Sequence, residues 1–303
     1  MTSANRAMAN AAAAGAAGCL CVIGTPIGNL GDVSPRAAGA FRDADAICCE
    51  DTRVTSKLLA HLGISKPLIR CDENVIARRA PELVDRMRAG ERLAFVSDAG
   101  MPSVSDPGQV LVDAARAAGL PVEVVPGPSA CVTALVASGI PCDHFFFEGF
   151  LPRKHGERVR RLAMLAMIPG ALLFYESPHR VQASLEAIAE VFPDRTVALC
   201  RELTKLHEEV LRAPAPELLE QVRERGELKG EMVLIVAPPS EEALTGVLSV
   251  AAPAAPAARD TLRLDVEDAL AAGESASAIA KRLSQKYSLR KREVYDLVVE
   301  LQK

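Results

Sequence analysis

The chain has 303 residues, 49% of them hydrophobic and 24% charged, with a formal net charge of −4. That is the composition of a folded globular protein, and it excludes a global pull toward polyanions, so any nucleic-acid contact must come from local basic patches. The absence of Trp and an aromatic content of 4% argue against a stacking platform for single-stranded nucleic acid, and the length suffices for two ordinary domains with appendages.

Residues 1–18 are Ala-rich with a single Arg6 and lack the apolar segment of a secretory signal, so they read as a disordered tail. The Ala-Ala-Gly before Cys19 faintly suggests a lipoprotein cleavage site, yet Cys19 opens the first strand-like run. No run of 18 uncharged apolar residues with real hydrophobic weight occurs, so no membrane partner is expected. None of the eight cysteines forms a paired C-x-x-C motif, which points to buried thiols in a reducing compartment, the cytoplasm, and to no metal.

From residue 19 onward strand-like runs alternate with amphipathic helices, the pattern of a mostly parallel sheet with helices on its faces. The runs predict strands at 19–24, 46–50, 68–71, 92–97 and 122–125, then a break at 139–142, then strands at 145–150, 171–176, 196–201 and 232–237. Helices fill the gaps, for example 77–89 and 180–191. The fold class is therefore α/β: an N-terminal lobe over 19–139 and a second lobe over 140–239, with a cleft between lobes as a usual ligand site. Residues 240–260 read as an Ala/Pro linker, and 261–303 as a small all-helical unit resembling a helix-turn-helix.

Three loops carry the chemistry. The first strand runs into GTPIGNLGDVSPR, where Gly24, Gly28 and Gly31 permit close backbone approach; three residues separate the first two glycines, which disfavours a dinucleotide fingerprint. The fourth strand delivers Asp98 into SDAGMPSVSDPG at a carboxyl strand end, where open α/β sheets bind ligands. Asp106 in that string reads as a cap for the next helix, which Gly108 starts. The fifth strand ends in VVPGPSACVTALVASG, with Ser129 at the N-cap of the following helix.

Taken in this order, the three loops resemble the tetrapyrrole methylase superfamily, the class III methyltransferases, over roughly residues 19 to 239. The resemblance implies S-adenosylmethionine as cofactor, clasped between two lobes and lined by Thr25, Pro26, Gly28, Asp98, Gly100, Met101, Ser129, Ala130 and Tyr175, and it implies a homodimer. Within the superfamily, CCEDTRVTSKLL, GFLPRKHGERVRRL, FYESPHR, CRELTKLHEEV and KGEMVLIV are similar to the bacterial 16S ribosomal RNA methyltransferases that modify the 2′-hydroxyl of a decoding-centre cytidine. They differ from the strings of precorrin, uroporphyrinogen and diphthine methylating enzymes. One departure stands out: CDENVI keeps Asn74 but carries Asp72 where a His is expected, so no His-based chemistry is assigned there.

Ribose methylation needs an oriented 2′-hydroxyl and an acceptor for its proton. Glu50 and Asp51 leave a strand end, with Arg53 and Lys57 four apart on the helix that follows, which makes Glu50, Asp51 and Arg53 the candidate catalytic group. The same pattern is also an ordinary stabilising helix start. Lys57, Asn74, Arg153, Lys154, Arg158 and Glu176 are candidate substrate contacts, with Glu176 the next candidate base. His179 and Arg180 read as surface residues at a helix start, and Lys205 and Lys229 as either substrate contacts or solvated side chains. Two basic patches, 153–161 with Glu157 as its only acid and 281–292 with none, favour 16S RNA or the 30S subunit over DNA as partner. The competing readings are a small-molecule tetrapyrrole methyltransferase and a cofactor-independent nucleic-acid-binding regulator.

Overall fold

The computed structural model describes residues 18–103, 107–240, 256–287 and 289–301. The predicted tail up to residue 17, Asp106 and most of the predicted linker lie outside the described residues. Two compact units are present, one ending at Pro238 and one from Pro239 to Lys303.

In the first unit the elements run β1 (Cys19–Ile23), a 3₁₀ turn (Leu30–Asp32), α1 (Pro35–Asp43), β2 (Ala46–Cys49), α2 (Thr52–His61), β3 (Leu68–Arg70), α3 (Ile76–Arg88), β4 (Arg92–Val96), α4 (Gly108–Ala117), β5 (Val122–Val125) and α5 (Ala130–Ser138). They continue with β6 (Phe145–Phe150), α6 (His155–Leu165), β7 (Ala171–Glu176), α7 (Val181–Val191), β8 (Thr196–Arg201), β9 (Glu209–Pro214), α8 (Ala215–Arg225) and β10 (Met232–Val236).

The first sheet has the order β3-β2-β4-β1-β5 and is parallel throughout. Its inner strands CLCVI and AICC are buried at every position, as a sheet covered on both faces requires. One face packs Leu20, Phe95, Leu83 and Met87; the other packs Ile23, Ile47, Phe41 and Leu59. The second sheet, β6-β7-β10-β8-β9, corrects the expectation of parallel strands: only β6 and β7 run parallel, and β10 lies antiparallel to both of its neighbours. The strand at 209–214 had no counterpart in the predicted set.

The first lobe ends physically before its predicted boundary. Helix α5 lies within 19–139, yet Cys131 and Ala134 pack with Leu173, Ala198, Val233 and Ile235 of the second sheet, and Ile27 of the first loop joins the same cluster. This shared core ties the two lobes together. Among the described residues no helix is long and apolar enough to cross a membrane.

The second unit contains α9 (Pro256–Ala271), α10 (Ala276–Lys286) and α11 (Lys291–Leu301), so its first helix begins inside the predicted linker. It closes on its own core of Leu262, Val266, Ile279, Leu283, Val294 and Val298. Ser275 caps α10 by accepting the Ala278 N–H.

Candidate functional site

Because the first sheet is parallel, the loops after β1, β2, β4 and β5 leave one edge together. The first and third of these are stitched by a two-residue antiparallel bridge: the Thr25 N–H donates to the Gly100 carbonyl at 2.9 Å, and the Gly100 N–H to the Thr25 carbonyl at 3.1 Å. Gly24 faces Gly127 so closely that a Cβ on Gly24 would stand 2.6 Å from the Gly127 Cα. The Gly127 N–H donates to Met101 Sδ at 3.1 Å, which fixes Met101 under the fifth-strand loop.

A chain of acidic residues runs along this edge. The Asp98 N–H donates to Glu50 Oε2 at 3.1 Å, and the Asp51 N–H donates to Asp98 Oδ1 at 3.0 Å. Asp51 caps α2 by accepting the Arg53 N–H at 2.8 Å, and its carboxylate also takes the Arg53 guanidinium, at 3.0 Å from Nε and 2.5 Å from Nη2. Hydrogen bonding from the Arg53 side chain pulls the Asp51 carboxyl down to about 2. A carboxylate held so low is a weak proton acceptor, and in this structure Asp51 caps the helix and holds Arg53. Asp98 is shifted the other way, upward, first by burial and then by the charge of Asp51.

The second sheet meets this edge with three strand ends. Since β10 is antiparallel to β7 and β8, its start lies beside their finishing ends, and Met232 pairs with both Glu176 and Arg201. The loops of both sheets enclose a cavity of about 340 Å³ lined by Glu50, Gly100, Met101, Ser129 and Ala130 on one side and by Phe150, Tyr175, Leu203, Glu231 and Met232 on the other. The Tyr175 ring is set edge-on between Phe147 and Phe150, at 4.8 and 5.9 Å between centroids. Ser129 occupies the N-cap position of α5, but its hydroxyl lies 3.2 Å from Cys131 Sγ and makes no cap hydrogen bond, so α5 presents its first turn to the cavity without a side-chain cap.

A second cavity of about 350 Å³ lies on the other side of the first loop, lined by Thr25, Pro26, Gly28, Leu30, Val54, Lys57, Leu58 and Asp98. Ile27, Ser97 and Ala99 line both cavities and so form their common wall. The nine residues predicted for the cofactor therefore separate: Gly100, Met101, Ser129, Ala130 and Tyr175 face the first cavity, whereas Thr25, Pro26, Gly28 and Asp98 face the second.

Several predicted contacts stand elsewhere. Arg158 is 3% exposed and donates to the carbonyls of Pro152, Arg153 and Ala183, at 3.2, 2.9 and 2.6 Å. It is a tether for the loop, not a substrate contact. Arg161 is gripped by Glu148 at 2.6 and 2.7 Å, an acid beyond the counted patch, which leaves Arg153, Lys154 and Arg160 exposed. Glu176 lines the first cavity, where its buried side chain accepts from the Ser177 N–H and the Ser184 hydroxyl, at 2.9 and 2.5 Å. Arg180 is half-buried, donating to the Leu151 carbonyl and lying 3.4 Å from Glu176, and is no surface residue. Asn74 is exposed and lines neither cavity. Lys205 is held by Glu202 at 2.7 Å and Glu231 at 2.8 Å.

Glu231, Leu203 and Phe150 were missed by the sequence reading. The start of KGEMVLIV held the available signal for Glu231, a carboxylate opening an apolar strand. In the second unit, Lys286 pairs with Asp265 at 2.6 Å and Arg282 with Glu274 at 2.8 Å, while Lys281, Arg290, Lys291 and Arg292 are exposed.

The family described as Tetrapyrrole (Corrin/Porphyrin) Methylases matches residues 20–219. A protein of Xylella fastidiosa (strain Temecula1) named "Ribosomal RNA small subunit methyltransferase I" is 48% identical over 221 residues, covering 72% of this chain and 81% of the relative. A protein of the same name from Synechocystis is 36% identical over 286 residues, covering 94% and 99%. Among solved structures, uroporphyrin-III C-methyl transferase from Thermus thermophilus in complex with S-adenyl homocysteine aligns with a TM-score of 0.53 and 20% identity, covering 73% of this chain and 97% of that one. By the family match over residues 20–219 and relatives 36–48% identical over most of its length, the chain belongs to the tetrapyrrole methylase family, within the group of ribosomal RNA small subunit methyltransferases I.

Proposed function

We propose that this protein transfers the methyl group of S-adenosylmethionine to the ribose 2′-hydroxyl of a decoding-centre cytidine in 16S ribosomal RNA. The observation that carries the reading is the first cavity, whose lining fits that cofactor. Tyr175, Met101, Leu203 and Met232 offer an apolar and aromatic bed for an adenine, Glu50 and Glu231 offer negative charge to cationic and hydroxyl groups, and the uncapped first turn of α5 at Ala130 offers N–H donors to a carboxylate. When bound, the cofactor supplies an electrophilic methyl on a sulfonium. The names of the relatives and the S-adenyl homocysteine held by a structural neighbour support the same reading.

The chain's own residues then have separate tasks. Glu50, at the cavity wall, receives the Asp98 N–H and keeps the edge of β2 and the loop after β4 in register. Arg53, with its side chain 86% exposed, holds a flanking phosphate from its seat on Asp51. Lys57, Asn74, Arg153 and Lys154 contact RNA backbone, and the second unit helps dock the subunit. The protein works in the cytoplasm as a homodimer. Helix α5 supports that assembly: its sequence ACVTALVAS is apolar all round, and Val132 and Val136 are left 47% and 78% exposed, a face suited to burial against another copy.

The test offers labelled S-adenosylmethionine with 30S subunits lacking the modification or with a tetrapyrrole. Label in the RNA supports the reading. Label only in the tetrapyrrole supports a small-molecule methyltransferase, and failure to bind the cofactor at all supports a regulator.

A further inference from the structure

The first cavity accounts for a donor, but the methyl must arrive somewhere, and the structure provides a second cavity against the same wall. Ile27, Ser97 and Ala99 separate the two, held by the Thr25–Gly100 bridge, so a group in one lies one residue layer from the other. The second cavity has the lining a nucleotide needs. Pro26, Leu30, Val54 and Leu58 form an apolar bed for a base, while Lys57, exposed and without an ion-pair partner among the described residues, stands at its side for a phosphate.

Resting on the ribosomal RNA reading, we infer that the second cavity seats the acceptor nucleotide and that Asp98, in its wall, takes the proton of the hydroxyl being methylated. In that step the ribose oxygen forms a bond to the methyl carbon, the carbon–sulfur bond breaks with its electrons going to sulfur, and the hydroxyl proton passes to the Asp98 carboxylate. Glu50 lines the first cavity and not the second, its carboxylate accepting the Asp98 N–H, and Asp51 is committed to Arg53. Among the described residues, the charged groups facing Asp98 are Glu50 from the end of β2, Asp51 and Arg53 from the start of α2, and Lys57 one turn further.

The test uses two variants of the full chain. Asp98→Asn keeps an oxygen for the Asp51 N–H, so the fold is preserved; Val54→Trp fills the second cavity from a residue that does not line the first. Both should bind S-adenosylhomocysteine with wild-type affinity by calorimetry. Single-turnover methylation of undermethylated 30S subunits should fall by about 10²- to 10⁴-fold in Asp98→Asn, with the acidic limb of the wild-type pH profile removed. In Val54→Trp, methylation should fall while the pH profile keeps its shape. A tenfold loss of S-adenosylhomocysteine affinity in Asp98→Asn would return that residue to the donor, and wild-type methylation by Val54→Trp would empty the second cavity of its role. Either result overturns the inference while leaving the ribosomal reading intact. A wild-type protein that labels no RNA overturns the parent reading and this one with it.

Discussion

Arg158 and Arg153 sit five positions apart in one basic string, yet the structure gives them opposite work. Arg158 satisfies three backbone carbonyls from inside the protein, and burial pushes its guanidinium below its usual range without releasing it from charge. Arg158→Ala removes all three bonds, but water can reach some of these carbonyls, whose residues are exposed or half-buried. The loss in urea unfolding should therefore be about 2–4 kcal/mol, below the sum for three fully buried unsatisfied groups at roughly 1–3 kcal/mol each. Arg153→Ala and Lys154→Ala, at exposed positions, should stay within about 0.5 kcal/mol of wild type and weaken 30S binding instead. Equal stability losses in all three would refute this division. Composition counts charges without telling which are enclosed, which is why the sequence showed one patch where the structure has a tether and a surface. The shift at Asp98 has a definite sign. A raised carboxyl stays protonated to higher pH, so an activity that needs it ionised falls on the acid side at a higher pH than an ordinary aspartate would give.

At the level of elements, the first sheet was legible from its centre, because the apolar runs CLCVI, AICC and LAFV bounded by turn residues are the signature of strands covered on both faces. The edge strands LIR and VEVV each carry a charge and were legible by their place in the alternation of strands and helices. The second sheet was legible in its runs but not in their direction, since MVLIV is buried at every position and reads the same either way along. That ambiguity hid Glu231: a rule that puts ligands at carboxyl strand ends overlooks a residue at the start of an antiparallel strand. The strand at 209–214 alternates burial with exposure and carries Glu209 and Arg212, too polar a run to stand out. Of the three loop glycines expected at close approach, Gly24 and Gly28 are so placed, whereas Gly31 meets only the Asn29 side chain; Gly24 gives a sharp prediction. In Gly24→Ala the new Cβ meets Gly127 backbone, which cannot move aside, and overpacking of this kind costs about 1–3 kcal/mol. Gly39→Ala, inside α1 with nothing within 4 Å, should instead stabilise by about 0.5–1 kcal/mol. Chemical denaturation of both variants checks the contrast, and a Gly24→Ala protein as stable as wild type would contradict it.

For the whole molecule, the two units have separate cores, and the proposed function divides binding of the donor from docking of the substrate between them. Both cavities lie in the first unit, so removing residues 239–303 should leave S-adenosylhomocysteine affinity unchanged. It should also weaken 30S binding and flatten its salt dependence, because exposed lysines and arginines of the second unit are lost. Loss of cofactor binding on truncation would show that the two units do not divide the work. Whether a ribose hydroxyl of ribosomal RNA receives the methyl is decided by where the label lands. Undermethylated 30S subunits are incubated with the protein and labelled S-adenosylmethionine, and the RNA is digested in alkali, which cannot cleave next to a methylated 2′-hydroxyl. Transfer to the 2′-hydroxyl puts the label in an alkali-resistant dinucleotide that begins with cytidine. Label in a single nucleotide, as methylation of a base would give, or no label in the RNA at all, would contradict it.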